Sequence, residues 1–163
     1  MIFLKTKRLV LRSLMPQDVD TIFDYRNNEV CFRYQKGQVK DYAEIVKMIE
    51  RRRADVLSVE APFMVAVALK ETNEIIGEIV VKPRADTIGL GYTFSYRYHR
   101  SGYAFEALMV LIDQLHRMAP EQVFVSFVEP QNTASIGLLR KLEYRDMGYV
   151  PKMESQMFGK WTN

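Results

Sequence analysis

The sequence predicts a single α/β domain with a mixed central sheet flanked by helices, and three observations carry the prediction. Strand-like and amphipathic segments follow one another in the order βααβββαβαβ along residues 1–163. Residues 123–128 are almost wholly apolar, as expected of a strand covered on both faces. Residues 62–69 and 75–81 flank the polar turn Glu71-Thr72-Asn73-Glu74 and read as an antiparallel hairpin. A chain of 163 residues, 48% apolar and 26% charged, has the size and composition of one globular core.

Residues 7–14 alternate and suit a first strand. Pro16-Gln17-Asp18 opens a helix, because Pro fits its first turn and Asp18 its positive end. That helix runs to about Arg26 and should bury Val19, Ile22 and Phe23. Residues 27–39 are irregular, with Asn27-Asn28 and Gly37 as turn residues. Asp41 begins a second helix, in which Tyr42, Ile45, Met48 and Ile49 recur at helical spacing. After the hairpin, residues 87–96 form a third strand whose Gly89 and Gly91 mark a bulge or a close backbone approach. Residues 102–118 are a long helix with Ala104, Leu108, Leu111, Ile112 and Leu115 on its buried stripe. Strand 123–128, helix 132–142 and strand-like residues 144–150 complete the order.

Composition excludes several functions. Cys31 is the only cysteine, and His99 and His116 are the only histidines, so neither a disulfide nor a zinc cluster is expected. The run Met1-Ile2-Phe3-Leu4-Lys5 is too short for a signal peptide, and no stretch approaches the roughly 18 apolar residues of a membrane span. A cytoplasmic protein without membrane partners is expected. The formal charge of +3 is too small to argue for nucleic acid. Arg51-Arg52-Arg53 is either a patch for acidic partners or the solvated end of a helix, where cations suit the dipole.

The informative segment runs from Leu90 to Ala107. A strand enters a basic turn, and a helix starts at Gly102-Tyr103-Ala104. Free N–H groups at a helix start make an anion site, Gly102 would let a diphosphate lie against the backbone, and Arg100 adds charge. The alternative is a plain strand–turn–helix connection.

This segment resembles the acetyl-CoA-binding motif of the GNAT N-acetyltransferases, Gln/Arg-x-x-Gly-x-Gly/Ala, with His99, Gly102 and Ala104 at the three motif positions. Gly91-Tyr92 and Tyr103-Ala104-Phe105-Glu106-Ala107 are similar to the branch that includes the ribosomal-protein N-terminal (alanine/serine) acetyltransferases. A second match follows, from Asn132-Thr133-Ala134-Ser135 to Lys141-Leu142-Glu143-Tyr144. The resemblance implies acetyl-CoA as donor and no metal. It implies that the third strand splays from its neighbour so that backbone at Tyr92, Thr93 and Phe94 holds the pantetheine. His99, Arg100, Ser101, Gly102, Tyr103 and Ala104 would hold the diphosphate. Asn132, Ser135 and Lys141 would complete the cofactor contacts.

Departures from the motif matter. Arg100 and Ser101 stand where the branch has Gly and Lys, Glu143 where it has Gly, and Leu139 where many members carry the tyrosine that protonates the thiolate. Phe158-Gly159-Lys160-Trp161-Thr162-Asn163 resembles a turn that leads into a final strand, so that strand is expected to be missing. Ser135 is then the candidate to assist the thiolate, or else it only bonds locally to its helix. Glu154 is the candidate base, or else a solvated carboxylate, with a water chain in its place. His99 is not taken as the base, because the match puts it at the diphosphate turn, and His116 is expected to be structural. Cys31 has no visible activating partner. Tyr25, Phe32 and Tyr34 with Arg26, Arg33 and Glu29 form either an acceptor surface or a packed loop.

Three functions compete on this reading: acetyl transfer to a protein or peptide α-amine, transfer to a small amine, and a degenerate acyl-CoA-binding module without turnover. A homodimer through the unfinished sheet edge is a further expectation.

Overall fold

The computed structural model, which describes residues 1–161, adds a strand ahead of the expected first one. β1 (Ile2–Lys5) and β2 (Leu9–Arg12) form an antiparallel pair. Thr6, between them, caps the turn by accepting the Leu9 N–H at 2.9 Å. The amino-terminal apolar run is therefore an edge strand. A 3-10 turn at Pro16–Asp18 leads into α1 (Val19–Arg26). That helix buries Ile22 and Tyr25, whereas Phe23 lies outside and packs edge-on against Tyr42. α2 (Glu29–Phe32) interrupts the segment expected to be irregular, and its Asn28 side chain caps it. α3 (Tyr42–Arg52) starts at the Asp41 cap and buries Ile45, Met48 and Ile49 but not Tyr42.

β3 (Phe63–Leu69), β4 (Ile75–Pro83) and β5 (Thr87–Phe94) form an antiparallel meander. α4 (Tyr103–Met118) crosses back to β6 (Val123–Val128), which lies parallel to β5. α5 (Thr133–Lys141), β7 (Arg145–Val150) and β8 (Ser155–Lys160) follow. The sheet has eight strands in the order β1-β2-β3-β4-β5-β6-β8-β7.

Two expectations are corrected here. The final strand is present: Ser155–Lys160, of which only residues 158–160 lie in the expected turn, pairs antiparallel with β6 on one side and β7 on the other. Two ladders outweigh the weak strand preference of a segment with Gly and Ser in it. Thr162 and Asn163 lie outside the described residues. The element order is thus ββαααβββαβαββ, and the sheet edge on that side is β7, not an unfilled strand position. β6 is also not buried on both faces. Phe124, Ser126 and Val128 point into the core, while Phe127 is 44% exposed.

α4 and α5 cover one face of the sheet over Leu9, Leu11, Val65, Val67, Ile88 and Phe124. α1 and α3 cover the other over Met64, Ala66 and Ile75. β3 is apolar throughout because its alternate residues feed both cores. Two buried ion pairs pin α1. Arg12 meets Asp18 through two hydrogen bonds of 2.9 Å. Arg26 meets Glu78 of β4 through two of 2.7 Å, and its remaining nitrogen donates to the Val39 carbonyl at 2.9 Å. Arg26 therefore ties both ends of the segment between α1 and α3 to the sheet.

Candidate functional site

The site forms where β5 and β6 part. Their parallel pairing joins Thr87 to Val123, Ile88 to Phe124 and Gly89 to Val125, and ends there. β5 continues to Phe94 along β4, while β6 continues to Val128 along β8. A wedge opens between residues 90–94 and 126–128, bridged near its apex by Ser126 Oγ donating to the Leu90 carbonyl at 3.1 Å. The Ser95 N–H bonds to Ile76 on the β4 side. Strand alternation therefore turns the backbone of Leu90, Tyr92 and Phe94 toward the wedge.

Side chains meet the carbonyls on that edge. Gln35 Nε2 donates to the Tyr92 carbonyl at 3.0 Å. His99 Nε2 lies 2.7 Å from the Phe94 carbonyl and, facing an acceptor, must carry the ring proton. Cys31 Sγ donates to the same oxygen at 3.4 Å, and burial raises its thiol pKa, so it is a protonated neighbour and not a nucleophile. Gln38 Nε2 donates to Thr93 Oγ1 at 3.0 Å.

The wedge leads to the start of α4. Ser95 caps a 3-10 turn at Tyr96–Tyr98 by accepting the Arg97 N–H at 3.3 Å, and His99 is extended. Arg100 and Gly102 are left-handed at φ 63° and 80°. Glycine adopts that conformation freely; Arg100, at the branch's glycine position, does so against steric cost. The first intrahelical bond runs from the Glu106 N–H to the Gly102 carbonyl, and no side chain caps the helix. The N–H groups of Tyr103, Ala104 and Phe105 thus start a 16-residue helix with its positive dipole end exposed.

Glu106 lies in that first turn but is engaged elsewhere. It accepts from Thr6 Oγ1 at 2.5 Å, from the Arg8 N–H at 3.0 Å and from Arg8 Nε at 2.8 Å. Burial disfavours its charged form, but these bonds outweigh burial and hold its pKa below the ordinary glutamate value. The Arg8 guanidinium stacks on the Tyr103 ring, 4.1 Å from its centroid. Beside them, Lys7, Leu69, Lys70 and Glu71 complete the lining of a shallow groove of about 360 Å³.

α5 closes the wedge from the other side. Asn132 is its cap, with Oδ1 accepting the Ser135 N–H at 3.3 Å. Ser135 Oγ lies 2.5 Å from the Tyr92 hydroxyl across the wedge. Burial pushes the Tyr92 phenol up to about 12, and the bond with Ser135 opposes that rise. Lys141, at the far end of α5, sits 4.4 Å over the Phe105 ring and so bridges to the start of α4. Leu139 is a core residue, 1% exposed, which accounts for an aliphatic side chain there.

The structure thus gathers Tyr92, Phe94, His99, Asn132 and Ser135 around the wedge, with Arg100, Ser101, Gly102, Tyr103, Ala104 and Lys141 about its outlet; Thr93, in the opposite phase of the strand, turns its backbone to Glu78 of β4 and meets Gln38 with its side chain, so its expected backbone role in the wedge is corrected. Glu154 is an exposed, left-handed residue between β7 and β8, and its carboxylate lies 3.6 Å from Lys36 Nζ. Lys36 also reaches Glu129 at 3.4 Å, and the Tyr34 hydroxyl donates to the Gln131 carbonyl at 3.3 Å. The α2–α3 segment therefore straps across to the loops after β6 and β7. The aromatic cluster divides: Tyr25 and Arg26 are buried, while Phe32 and Tyr34 remain at the surface segment. His116 is stacked on Trp161 at 3.7 Å, away from the wedge.

Sequence reasoning missed Gln35, Gln38, Lys36 and Glu129, for which nothing local signals a role. It named Tyr92 only for its backbone, although strand parity places its side chain with Ile88, Leu90 and Phe94. Among the described residues no group of three His, Cys, Asp or Glu is placed to hold a metal ion. No helix there is long and apolar enough to cross a membrane.

Comparison with known proteins agrees with this geometry. The profile of the acetyltransferase (GNAT) domain family matches residues 8–145. An uncharacterized N-acetyltransferase, p20 of Bacillus licheniformis, is 27% identical over 159 residues, covering 93% of this chain and 86% of that protein. A GNAT-family acetyltransferase of Bacillus anthracis superposes with TM-score 0.81 at 20% identity, covering 98% of this chain and 96% of its own. RimL, a ribosomal L7/L12 α-N-protein acetyltransferase solved with coenzyme A, superposes with TM-score 0.82 at 16% identity, covering 98% and 97%. A splayed strand pair that opens onto an uncapped helix start, in a chain matched by that profile over most of its length, places the protein in the acetyltransferase (GNAT) domain family, as an acetyl-CoA-dependent acyltransferase.

Proposed function

We propose that the chain, as one domain over residues 1–163, transfers the acetyl group of acetyl-CoA directly to a primary amine, preferentially the α-amine of a protein or peptide. The carrying observation is the wedge between β5 and β6 opening onto the free N–H groups of Tyr103, Ala104 and Phe105. The pantetheine lies along the wedge edge of Tyr92 and Phe94 in this reading. The diphosphate lies at residues 99–104, where the helix dipole and Arg100 favour it. Gln35 must leave the Tyr92 carbonyl when the donor pairs there.

The preference for an α-amine rests on acid–base arithmetic. With an α-amine pKa near 7.7–8.0 and a lysine pKa near 10.4, the neutral amine at pH 7 costs about 1–1.4 and about 4.6 kcal/mol respectively. Glu154 is exposed and paired with Lys36, which makes a strong dedicated base hard to assign. An acceptor that deprotonates easily fits such a site best. One observation favours a small amine instead. The strap of Tyr34 on Gln131 and Lys36 on Glu129 and Glu154 crosses the acceptor side in this reading, and would narrow it for a small molecule. We place the enzyme in the cytoplasm, with its donor. A homodimer would use the β7 edge, and sedimentation showing only monomer excludes it.

A melting scan with acetyl-CoA, with NAD as control, tests the donor reading. Ligand at about 100 times its dissociation constant adds roughly 2.7 kcal/mol, a rise of about 5–10 °C at this chain length. No rise at millimolar acetyl-CoA refutes it. Acetylation of a peptide panel against a small-amine panel then separates the acceptors, and cofactor binding without transfer to either marks the non-catalytic module.

A further inference from the structure

We propose that residues 34–38, between α2 and α3, are an autoinhibitory latch that closes the wedge in the free protein, with the Gln35 amide holding the Tyr92 carbonyl against any ligand. The inference rests on the reading of the wedge as the donor site.

The latch has tied ends and a loosely held middle. Arg26 Nη1 donates to the Val39 carbonyl at 2.9 Å, and Asn27 Nδ2 donates to the Lys40 carbonyl at 2.8 Å. Lys40 Nζ lies 3.9 Å over the Phe32 ring, which joins the two ends to each other. The buried Cys31 anchors α2 in the core. These ties hold the ends in place whatever the middle does.

The middle reaches both sides of the wedge. On the β5 side, Gln35 Nε2 donates to the Tyr92 carbonyl and Gln38 Nε2 to Thr93 Oγ1, each at 3.0 Å. On the β6 side, the Tyr34 hydroxyl donates to the Gln131 carbonyl at 3.3 Å. Lys36 Nζ lies 3.4 Å from Glu129 and 3.6 Å from Glu154. Every one of these contacts is made by a side chain of the latch. Among the described residues no backbone hydrogen bond joins residues 34–38 to either strand, so the latch can lift without breaking a ladder. Gly37 sits in its middle at φ 69° with open space around it, and lets the chain turn there. Gln35 and Lys36 are exposed, and exposed contacts of these kinds are individually weak. Such a segment opens readily and stays closed only by their sum.

The carbonyls of the wedge edge make the latch inhibitory. Those of Leu90 and Phe94 are met by Ser126 of β6 and by His99 of the turn after β5, which frame the wedge itself. The Tyr92 carbonyl is met by the latch. A ligand that pairs with this edge competes with Gln35 for that acceptor, and its apparent affinity falls with the fraction of molecules that are open.

The test measures CoA affinity by calorimetry, and amide exchange at residues 34–38 without ligand, in the wild type, Gln35→Ala and Lys36→Met. Exchange at the latch should quicken in both variants, and each should bind CoA more tightly than the wild type. The gain should be about 2–10-fold for Gln35→Ala, the range spanned by one neutral hydrogen bond. The gain for Lys36→Met should shrink as salt rises from about 0.05 to about 0.5 M, because screening opens the wild-type ion pairs as the substitution does. Affinity equal to or weaker than wild type in Gln35→Ala overturns the proposal, even with faster exchange, since the segment would then move without gating the wedge. Lys36→Met decides in the same way should Gln35→Ala fail to fold. Failure of the wild type and both variants to bind CoA overturns the donor reading instead.

Discussion

Replacing Arg26 by Met should destabilise the protein more than any surface change, through the charge left behind rather than the one removed. Arg26 and Glu78 are 3% and 1% exposed, and two hydrogen bonds of 2.7 Å join them. Removing one partner of such a pair costs about 3–5 kcal/mol, because the remaining charge is neither solvated nor matched. Total stability for a domain is about 5–15 kcal/mol, so this is a large share of it. At roughly 2–4 °C per kcal/mol for this chain length, the melting temperature should fall by about 6–20 °C. Urea unfolding measures the loss directly, with an unchanged slope showing that the transition stays two-state. The companion variant, Arg26→Met with Glu78→Leu, should recover most of it, leaving the unpaired Val39 carbonyl at about 1–3 kcal/mol. A single-variant loss below about 1 kcal/mol would refute the uncompensated-charge argument. A double variant as unstable as the single would assign the loss to packing.

Arg100→Gly should raise stability by about 1 kcal/mol by relieving the left-handed conformation at φ 63°, while weakening acetyl-CoA binding through the lost cation; a lower melting temperature or unchanged affinity contradicts this. Gly102→Ala and Gly102→Glu should each cost about 1–2 kcal/mol in strain at φ 80°, since an added Cβ meets only Arg8 Nη2 at an ordinary 3.5 Å. Only the glutamate should abolish the acetyl-CoA melting shift, so equal shifts in both variants remove the diphosphate assignment. Glu106→Gln should flatten the acid limb of stability. The folded pKa of Glu106 lies below its unfolded value, so its contribution is present above that value and lost as pH falls from about 5. The wild-type advantage over the variant should shrink across that window, and an advantage that is constant with pH counts against the role given to Thr6 and Arg8.

What the sequence disclosed, it disclosed through local physics. The hairpin of β3 and β4, the helix start at Asp41 and the stripe of α4 all follow from spacing and cap chemistry, and each stands where its residues indicate, except that Ala104 is only half-buried and Ala107 takes its place in the core. The glycine-led start of α4 was legible for the same reason. β8 was not, because Ser155–Lys160 becomes a strand only between two partners, and those pairings are tertiary. The parting of β5 from β6 is likewise invisible in either strand alone. Glu154 shows why a carboxylate in the right stretch is insufficient: its left-handed turn and the nearby Lys36 decide where its charge sits. Tyr92 is the intermediate case, its face set by strand parity and its partner set only by the fold.

The parallel ladder that ends at Gly89 also makes the molecule a mechanical composite. On one side lies the slab from β1 to β5; on the other a sequence-local flap, β6, α5, β7 and β8, hinged along a short seam. Such a flap is a natural unit of partial opening, with its own exchange rate for backbone amides. A ligand in the gap would rivet flap to slab. Amide protection between residues 123 and 160 should then rise with cofactor far more than protection in β3.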